Sequence, residues 1–159
     1  MPFVYRRVIR FHETDAAGVV YFASLLSLCH EAYEAAIASA STLNPKDFFS
    51  GAATTAVPIV HTAADFYQPL FCGDAVSITL TPQQLTSHSF EISYDITKAV
   101  AKGKRSTKPL VHALTRHVCI ATATRRRTDL PPELLSWLTI LSVKETEEGA
   151  EFEPLQPDG

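Results

Sequence analysis

The chain has 159 residues, of which 46% are hydrophobic and 19% are charged, and its formal net charge is −3. This length suits one domain with its own hydrophobic core, so neither disulfides nor a structural metal is needed for folding. The composition is close to the globular average, which argues against collagen-like, coiled-coil and largely disordered chains. No apolar run is long enough to span a bilayer and no secretory signal follows Met1, so we expect a cytoplasmic protein without a membrane partner.

The charge is divided unevenly along the sequence. Residues 1–143 carry 13 basic and 11 acidic side chains, whereas residues 144–159 carry one lysine and six acidic side chains. We therefore expect a folded domain over residues 1–143 and an acidic, flexible tail over residues 144–159. A domain this close to neutral lacks a broad basic surface, so no nucleic-acid partner is expected.

In chain order, the hydrophobic pattern first predicts a strand and a long helix. Residues 3–11 alternate loosely and predict the strand. Apolar residues then recur at helical spacing, which predicts an amphipathic helix of about 18 residues. The Asn44 and Pro45 pair marks its end, and a short helical turn is expected at residues 47–50. The buried face of the long helix is expected to contain Phe22, Leu25, Leu26, Cys29, Tyr33, Ala36 and Ile37.

The second half of the sequence is rich in residues that favour strands. Hairpin-length connections favour antiparallel pairing of four predicted strands, at residues 57–67, 75–85, 89–100 and 110–124. A last short helix is expected at residues 131–138, with proline in its first turn. This order predicts the α+β class, with a long central helix wrapped by a five-stranded antiparallel sheet.

The cysteines and histidines do not predict a metal site. Cys29, Cys72 and Cys119 lack paired spacing and have apolar neighbours, so each is predicted to be a buried, unreactive thiol. The segment from His30 to Glu34 lacks the second histidine of a zinc-protease helix. A structural role is favoured for both residues, with contact to an aromatic ligand as the alternative.

The segment between the first strand and the long helix carries the most informative polar residues. Asp15 lies in a loop of small residues before the helix, whose first N–H groups and positive dipole end come just after it. Such a helix end can polarise a carbonyl group, and a neighbouring carboxylate can act as nucleophile or general base. The alternative is that Thr14 or Asp15 is an N-cap or a hydrogen-bonding residue of the loop.

Five stretches of the sequence resemble a known enzyme family. Residues 11–22 resemble the signature of the 4-hydroxybenzoyl-CoA thioesterase family of hotdog-fold proteins, roughly Phe-x-Asp-x-Asp-x-x-Gly followed by the central helix. More closely, the chain is similar to the 1,4-dihydroxy-2-naphthoyl-CoA thioesterases of phylloquinone biosynthesis at residues 14–22, 29–34, 57–61, 72–74 and 117–121. The resemblance covers residues 3–140 and implies a hotdog fold.

The resemblance also implies a reaction and its groups. The enzyme would hydrolyse an aromatic acyl-CoA without a metal or redox cofactor. The second acid of the motif, Asp15, is implied to be the catalytic carboxylate, which either attacks the thioester carbonyl or activates a water. The first acid is Glu13, where many family members have Asp. The backbone N–H of Phe22 is implied to hold the carbonyl oxygen, and Gly18 to allow its close approach.

Other residues are candidates for contacts with the substrate. Tyr21, His30 and His61 are candidates for lining the pocket. Guanidinium groups match phosphate oxygens, so the arginines after the last strand are candidates for the CoA phosphates, with a solvated charge run as the alternative. These are Arg125, Arg126 and Arg127. The resemblance further implies a homo-oligomer, a dimer or a tetramer built from dimers, with active sites at the subunit interface.

Two other functions stay open on the sequence alone. One is a thioesterase for 4-hydroxybenzoyl-CoA or for another acyl group carried by CoA or a carrier protein. The other is a hotdog protein that binds such a ligand without turnover, because fold alone does not fix function. The carboxylate of Asp15 in its small-residue loop argues against the non-catalytic protein.

Overall fold

The structure is a computed structural model that describes residues 2–101, 104 and 106–142. The predicted acidic tail, together with residues 1, 102, 103, 105 and 143, lies outside the described residues. The elements are β1 (Phe3–Val8), α1 (Phe22–Ser39), α2 (Pro45–Phe48), β2 (Thr55–Ala56), β3 (Ile59–Phe66), β4 (Ala75–Thr86), β5 (Ser89–Lys98), β6 (Val111–Val118), β7 (Ile120–Ala121) and α3 (Pro132–Ser142). A 3-10 turn, Phe11–Glu13, follows β1.

Five of these strands form one antiparallel sheet, in the order β1-β4-β5-β6-β3. The predicted α+β class with a five-stranded sheet is therefore confirmed. The predicted hairpins exist between β4 and β5 and between β5 and β6, but β3 and β4 do not pair. The connection between them instead bonds to the segment before α1, because the Val20 N–H donates to the Leu70 carbonyl oxygen at 2.9 Å. This leaves β3 beside β6 at one edge of the sheet, with Ile59 opposite His117 and Phe66 opposite Val111.

Helix α1 packs on one face of the sheet and supplies much of the core. Its buried side chains share a cluster with inward-facing residues of β4 and β5; they are Leu25, Leu28, Cys29, Ala32, Tyr33, Ala36 and Ile37. The prediction was wrong for Phe22 and Leu26, of which 66% and 36% are exposed. Both lie in the first two turns of α1, on the flank of the apolar stripe, where the described residues leave them uncovered.

The other boundaries differ from the predictions by a few residues. β1 ends at Val8 because the 3-10 turn begins soon after it. α2 begins at Pro45, and the Asn44 side chain accepts the Lys46 N–H at 3.0 Å. The last predicted strand is divided into β6 and β7, and α3 continues past residue 138 to Ser142. No helix in the described part of the chain is both long and apolar enough to cross a membrane.

Candidate active site

The loop that carries Asp15 is closed on itself by backbone hydrogen bonds. At its base, the Tyr21 N–H donates to the Glu13 carbonyl oxygen at 2.9 Å. Farther out, the Asp15 N–H donates to the Val19 carbonyl oxygen at 2.8 Å. Gly18 closes the turn at a φ of +80°, a conformation that glycine adopts without strain, and its N–H donates to the Asp15 carbonyl oxygen at 3.0 Å. The loop therefore holds Asp15 in a defined place before α1.

The Asp15 carboxylate is exposed, and only one of its two oxygens accepts hydrogen bonds from the described residues. Its Oδ1 accepts the Ala17 N–H at 2.8 Å and the Val19 N–H at 3.4 Å. Asp15 is thus a hydrogen-bonding residue of the loop, but its Oδ2 has no hydrogen-bond partner among the described residues. Neither Thr14 nor Asp15 caps α1, because the N-cap is Tyr21, whose side chain makes no capping bond. One carboxylate oxygen is therefore available to an incoming group.

The first turn of α1 presents backbone donors beside this loop. The N–H groups of Ser24 and Leu25 donate to the Tyr21 carbonyl oxygen at 2.9 and 3.3 Å. Within the described residues, the N–H groups of Phe22 and Ala23 have no acceptor. Free N–H groups at the positive end of a helix can stabilise negative charge that develops on a carbonyl oxygen. The rings of Tyr21 and Phe22, 4.6 Å apart, flank these donors.

A partly buried ion-pair network lies behind the loop, and the sequence did not predict it. The Arg7 guanidinium bonds to Glu13 through Nη2 and to Glu31 of α1 through Nη1. Only 10% of the Arg7 side chain and 9% of the Glu13 side chain are exposed. The remaining oxygens are also used, since Glu13 Oε2 accepts the Arg10 N–H at 2.8 Å and Glu31 Oε1 accepts the Tyr5 hydroxyl at 3.1 Å. The first acid of the motif thus connects the loop to β1 and to α1.

An aromatic cavity of about 340 Å³ lies against the middle of α1. Its walls come from α1, α2 and the adjoining ends of β3 and β6, and they include His30, Tyr33, Phe48, Phe49, Ile59 and His117. The Tyr33 and Phe49 rings meet edge to face at 5.7 Å, and the Tyr33 hydroxyl is buried without a hydrogen-bond partner in the described part. His30 therefore lines a cavity, with Nδ1 3.3 Å from Glu34 Oε1. His61 is exposed on β3 and does not line this cavity.

Beneath the cavity, buried polar groups form an ordered chain. The His117 ring stacks on Phe90 with centroids 4.6 Å apart, and its Nδ1 lies 3.1 Å from the Val57 carbonyl oxygen. A carbonyl only accepts, so Nδ1 carries the proton and Nε2 accepts the Thr115 hydroxyl at 2.9 Å. The Tyr94 hydroxyl then donates to Thr115 Oγ1 at 3.2 Å. Burial lowers the pKa of His117 to about 4, so the ring is neutral at pH 7.

The three arginines at residues 125–127 are exposed in the turn after β7. They lie at the opposite end of the sheet from Asp15. The Asp15 loop bonds to Leu70, just beyond the Phe66 end of β3, whereas the arginines follow the end of β6 that pairs with Ile59. A strand rises about 3.3 Å per residue, so the length of β3 separates these two ends by about 23 Å. One chain therefore does not bring the arginines next to Asp15.

The cysteines only partly follow the prediction. Cys29 and Cys119 are buried, and burial raises the pKa of the Cys29 thiol to about 12, so this thiol is unreactive. The prediction was wrong for Cys72, which is exposed in the surface turn where the Phe71 N–H donates to Asp74 Oδ2. Among residues 2–101, 104 and 106–142, no group of three His, Cys, Asp or Glu side chains could hold a metal ion.

Comparison with known proteins shows the family of this chain. A profile described as the thioesterase-like superfamily matches residues 9–138. A 1,4-dihydroxy-2-naphthoyl-CoA hydrolase of Nostoc punctiforme is 48% identical over 141 residues, which are 87% of each chain. A protein of the same name from Gloeothece citriformis is 45% identical over 144 residues, 91% of this chain and 96% of the other. The crystal structure of a 1,4-dihydroxy-2-naphthoyl-CoA thioesterase from Synechocystis is 36% identical, with a TM-score of 0.78 over 91% of this chain and 100% of that one. With its Asp15 loop placed before α1, this chain belongs to the hotdog-fold thioesterases of the thioesterase-like superfamily, a family of thioester hydrolases.

Proposed function

We propose that the protein hydrolyses 1,4-dihydroxy-2-naphthoyl-CoA to 1,4-dihydroxy-2-naphthoate and CoA, a step of phylloquinone biosynthesis. One observation carries the proposal: the Asp15 carboxylate and the free N–H of Phe22 flank a single closed loop. They do so in a chain that is 48% and 45% identical to two hydrolases named for this substrate. The same two groups are those that thioester hydrolysis requires.

Each group has a role that its surroundings allow. The Phe22 N–H donates to no acceptor among the described residues, so it can donate a hydrogen bond to the thioester carbonyl oxygen as negative charge develops there. Asp15 then acts through Oδ2. Either it attacks the carbonyl carbon, the C–S bond breaks, CoA leaves as a thiolate and water hydrolyses the resulting anhydride, or it takes a proton from a water that attacks directly. Water is the only co-reactant in both routes.

We further propose that two chains pair through β3, and that such dimers build a homotetramer. β3 is an eight-residue edge strand with no Lys or Arg and with Asp65 as its one acidic residue, and it exposes Ile59, Val60 and Phe66. Long apolar edges attract another strand unless charges protect them. β1, at the opposite edge, has six residues, exposes the apolar side chains of Val4 and Val8 and carries the exposed charge of Arg6. The greater length of β3 and its larger exposed apolar side chains therefore favour β3 as the edge that pairs.

The proposed pairing would complete the substrate site. A two-fold axis perpendicular to the sheet pairs the two β3 strands antiparallel, so the Ile59 end of one chain meets the Phe66 end of the other. The aromatic cavity and the arginines at residues 125–127 of one chain then approach Asp15 of its neighbour. Aromatic walls suit a naphthoyl ring, and guanidinium groups suit the CoA phosphates. Gly18 and Tyr21 would line the near side.

The remaining predictions concern location and the ends of the chain. We place the protein in the cytoplasm, and we assign the catalytic domain to residues 1–143 and a solvated acidic tail to residues 144–159. The uneven charge of the sequence supports this division.

The direct test is thiol release from a panel of thioesters by the wild type and by Asp15→Asn. The panel contains 1,4-dihydroxy-2-naphthoyl-CoA, 4-hydroxybenzoyl-CoA and an aliphatic acyl-CoA. Asparagine keeps an oxygen that can accept the Ala17 N–H, so the loop should remain folded while kcat falls at least about 100-fold. We expect the highest kcat/KM on the naphthoyl thioester.

The matched control is Asp47→Asn, which removes an exposed acid of α2 and should leave kcat unchanged. Full activity of Asp15→Asn would refute the catalytic role of this carboxylate. A higher kcat/KM on another thioester of the panel would refute the substrate. Tight binding of the naphthoyl thioester without thiol release would favour a binding protein instead.

A further inference from the structure

We infer that Arg7 is a positioning residue, which holds the Asp15 loop against α1 through Glu13 and Glu31. By doing so it sets the distance between the Asp15 carboxylate and the free N–H of Phe22. The inference rests on the proposed function, because that distance matters only if these two groups act on one thioester.

The first step of the argument is that Asp15 moves together with Glu13. The Tyr21 N–H bonds to the Glu13 carbonyl at 2.9 Å, and the Asp15 N–H bonds to Val19 at 2.8 Å, so the loop is a closed unit. The Glu13 side chain is also fixed, because its Oε2 accepts the Arg10 N–H at 2.8 Å. A shift of Glu13 relative to the helix would therefore carry Asp15 with it.

The second step is that Glu31 is fixed to the rigid middle part of α1. It lies nine residues after Phe22, about 13.5 Å along the axis at 1.5 Å per residue, and is therefore part of the body of α1. Its two oxygens are both used, one by Arg7 and one by the Tyr5 hydroxyl at 3.1 Å. Glu31 and Tyr5 thus register α1 against β1, and Arg7 extends that register to the loop.

The third step is that this bridge needs a guanidinium group. Arg7 reaches its two carboxylates through two different nitrogens, which a planar fork provides and a single ammonium nitrogen does not. Only 10% of the Arg7 side chain is exposed, and it lies between the buried carboxylate of Glu13 and the partly exposed carboxylate of Glu31. Without the bridge the two carboxylates repel each other, and the backbone bond between Glu13 and Tyr21 has to hold the loop against α1 without the help of this ion pair.

The test compares Arg7→Lys with the wild type on the naphthoyl thioester. We expect kcat to fall 10- to 100-fold while KM changes less than threefold, because the binding surface remains and only the alignment of the reacting groups is lost. The matched control is Arg6→Lys, the neighbouring arginine on the exposed side of β1, which should keep kcat within twofold. A twofold or smaller effect of Arg7→Lys, or an effect on KM alone, would overturn the inference.

A second measurement does not depend on turnover. In Arg7→Lys, we expect hydrogen exchange at the Ala17 and Tyr21 amides to be at least fivefold faster, with exchange in the middle of α1 unchanged. Equal protection in both proteins would overturn the inference. If Arg7→Lys does not fold, Glu31→Gln serves instead, since this residue is partly exposed and the substitution removes one arm of the bridge. It should reduce kcat at least fivefold, and an unchanged kcat counts against the bridge.

The two proposals can fail separately. A wild type that releases no thiol from any thioester refutes the proposed function, and the exchange rates still decide whether Arg7 holds the loop. An active wild type with an inactive Asp15→Asn and an unaffected Arg7→Lys refutes only the role of Arg7.

Discussion

At the level of single residues, His117 makes the stability of the fold depend on pH. Burial lowers its pKa to about 4, whereas an unfolded histidine titrates near 6.5. Between these pH values the unfolded chain binds more protons than the folded chain. The free energy of unfolding therefore decreases as the pH falls from 6.5 to 4, and the contribution of neutral His117 is fully present only above pH 6.5. The contribution of His117 is about 3 kcal/mol over this range. Urea denaturation at several pH values would measure it.

The comparison variant for this prediction is His117→Phe, which can still stack on Phe90 but cannot titrate. It should lose about 1–3 kcal/mol at pH 7, because the Thr115 hydroxyl and the Val57 carbonyl lose their partner. Its stability should depend less on pH between 6.5 and 4 than that of the wild type. If the two curves stay parallel there, His117 is not the source of the pH dependence.

Single residues of the site differ in whether the sequence can predict them. Asp15 could be predicted because its surroundings are local, a loop of small residues and the helix that follows. Arg7 could not, because its partner Glu31 lies 24 residues away. One signal was present, since strand alternation places Arg7 on the same face as Phe3 and Tyr5. A charged side chain on the inward face of a strand needs a buried partner.

At the level of elements, α3 stabilises the C-terminal end of α1. The last carbonyls of a helix lack partners within it, and here the Ala36 carbonyl accepts the Ser39 hydroxyl at 2.8 Å and the Trp137 Nε1–H at 3.3 Å. Trp137→Phe should therefore reduce the free energy of unfolding by about 1–3 kcal/mol, through the lost hydrogen bond and the smaller ring. Urea denaturation followed by circular dichroism is the measurement.

Thr139→Ala is the control for this prediction, because it alters an exposed position of the same helix. Its stability should stay within about 0.5 kcal/mol of the wild type. Equal stability of Trp137→Phe and the wild type would show that α3 does not support α1 through this ring.

Local and long-range elements differ in how far the sequence determines them. α1 could be predicted from Phe22 onward because its apolar residues recur within each turn, a relation between near neighbours. The position of β3 in the sheet could not be predicted in this way, because its short connection to β4 is typical of a hairpin. Whether it is one depends on Val20 bonding to Leu70, a contact between segments 50 residues apart. Periodicity likewise located the stripe of α1 but not that Phe22 and Leu26 remain exposed.

At the level of the whole molecule, the free edge of β3 predicts the oligomeric state. Val60→Glu adds a charge at a residue that is 58% exposed in the single chain, so the subunit should still fold. Charge on an edge opposes strand pairing. In sedimentation velocity at micromolar concentration we expect the variant to dissociate to monomers. Its kcat/KM should fall at least about tenfold, because the proposed site needs two chains.

Val4→Glu tests whether the effect belongs to this edge. It places the same charge on the exposed side of β1, at the opposite edge of the sheet, and should leave both assembly and turnover unchanged. A wild type that sediments as a monomer, or a Val60→Glu protein that remains associated, would refute pairing through β3.

The closed loop before α1 has a consequence for how this enzyme can change over evolutionary time. The bonds that close it join backbone atoms of Glu13 and Tyr21 and of Asp15 and Val19, so they do not depend on most side chains within it. Substitutions there can alter the reactive group while the core beneath stays as it is. The loop is thus an exchangeable unit, on which new chemistry can arise without a new fold.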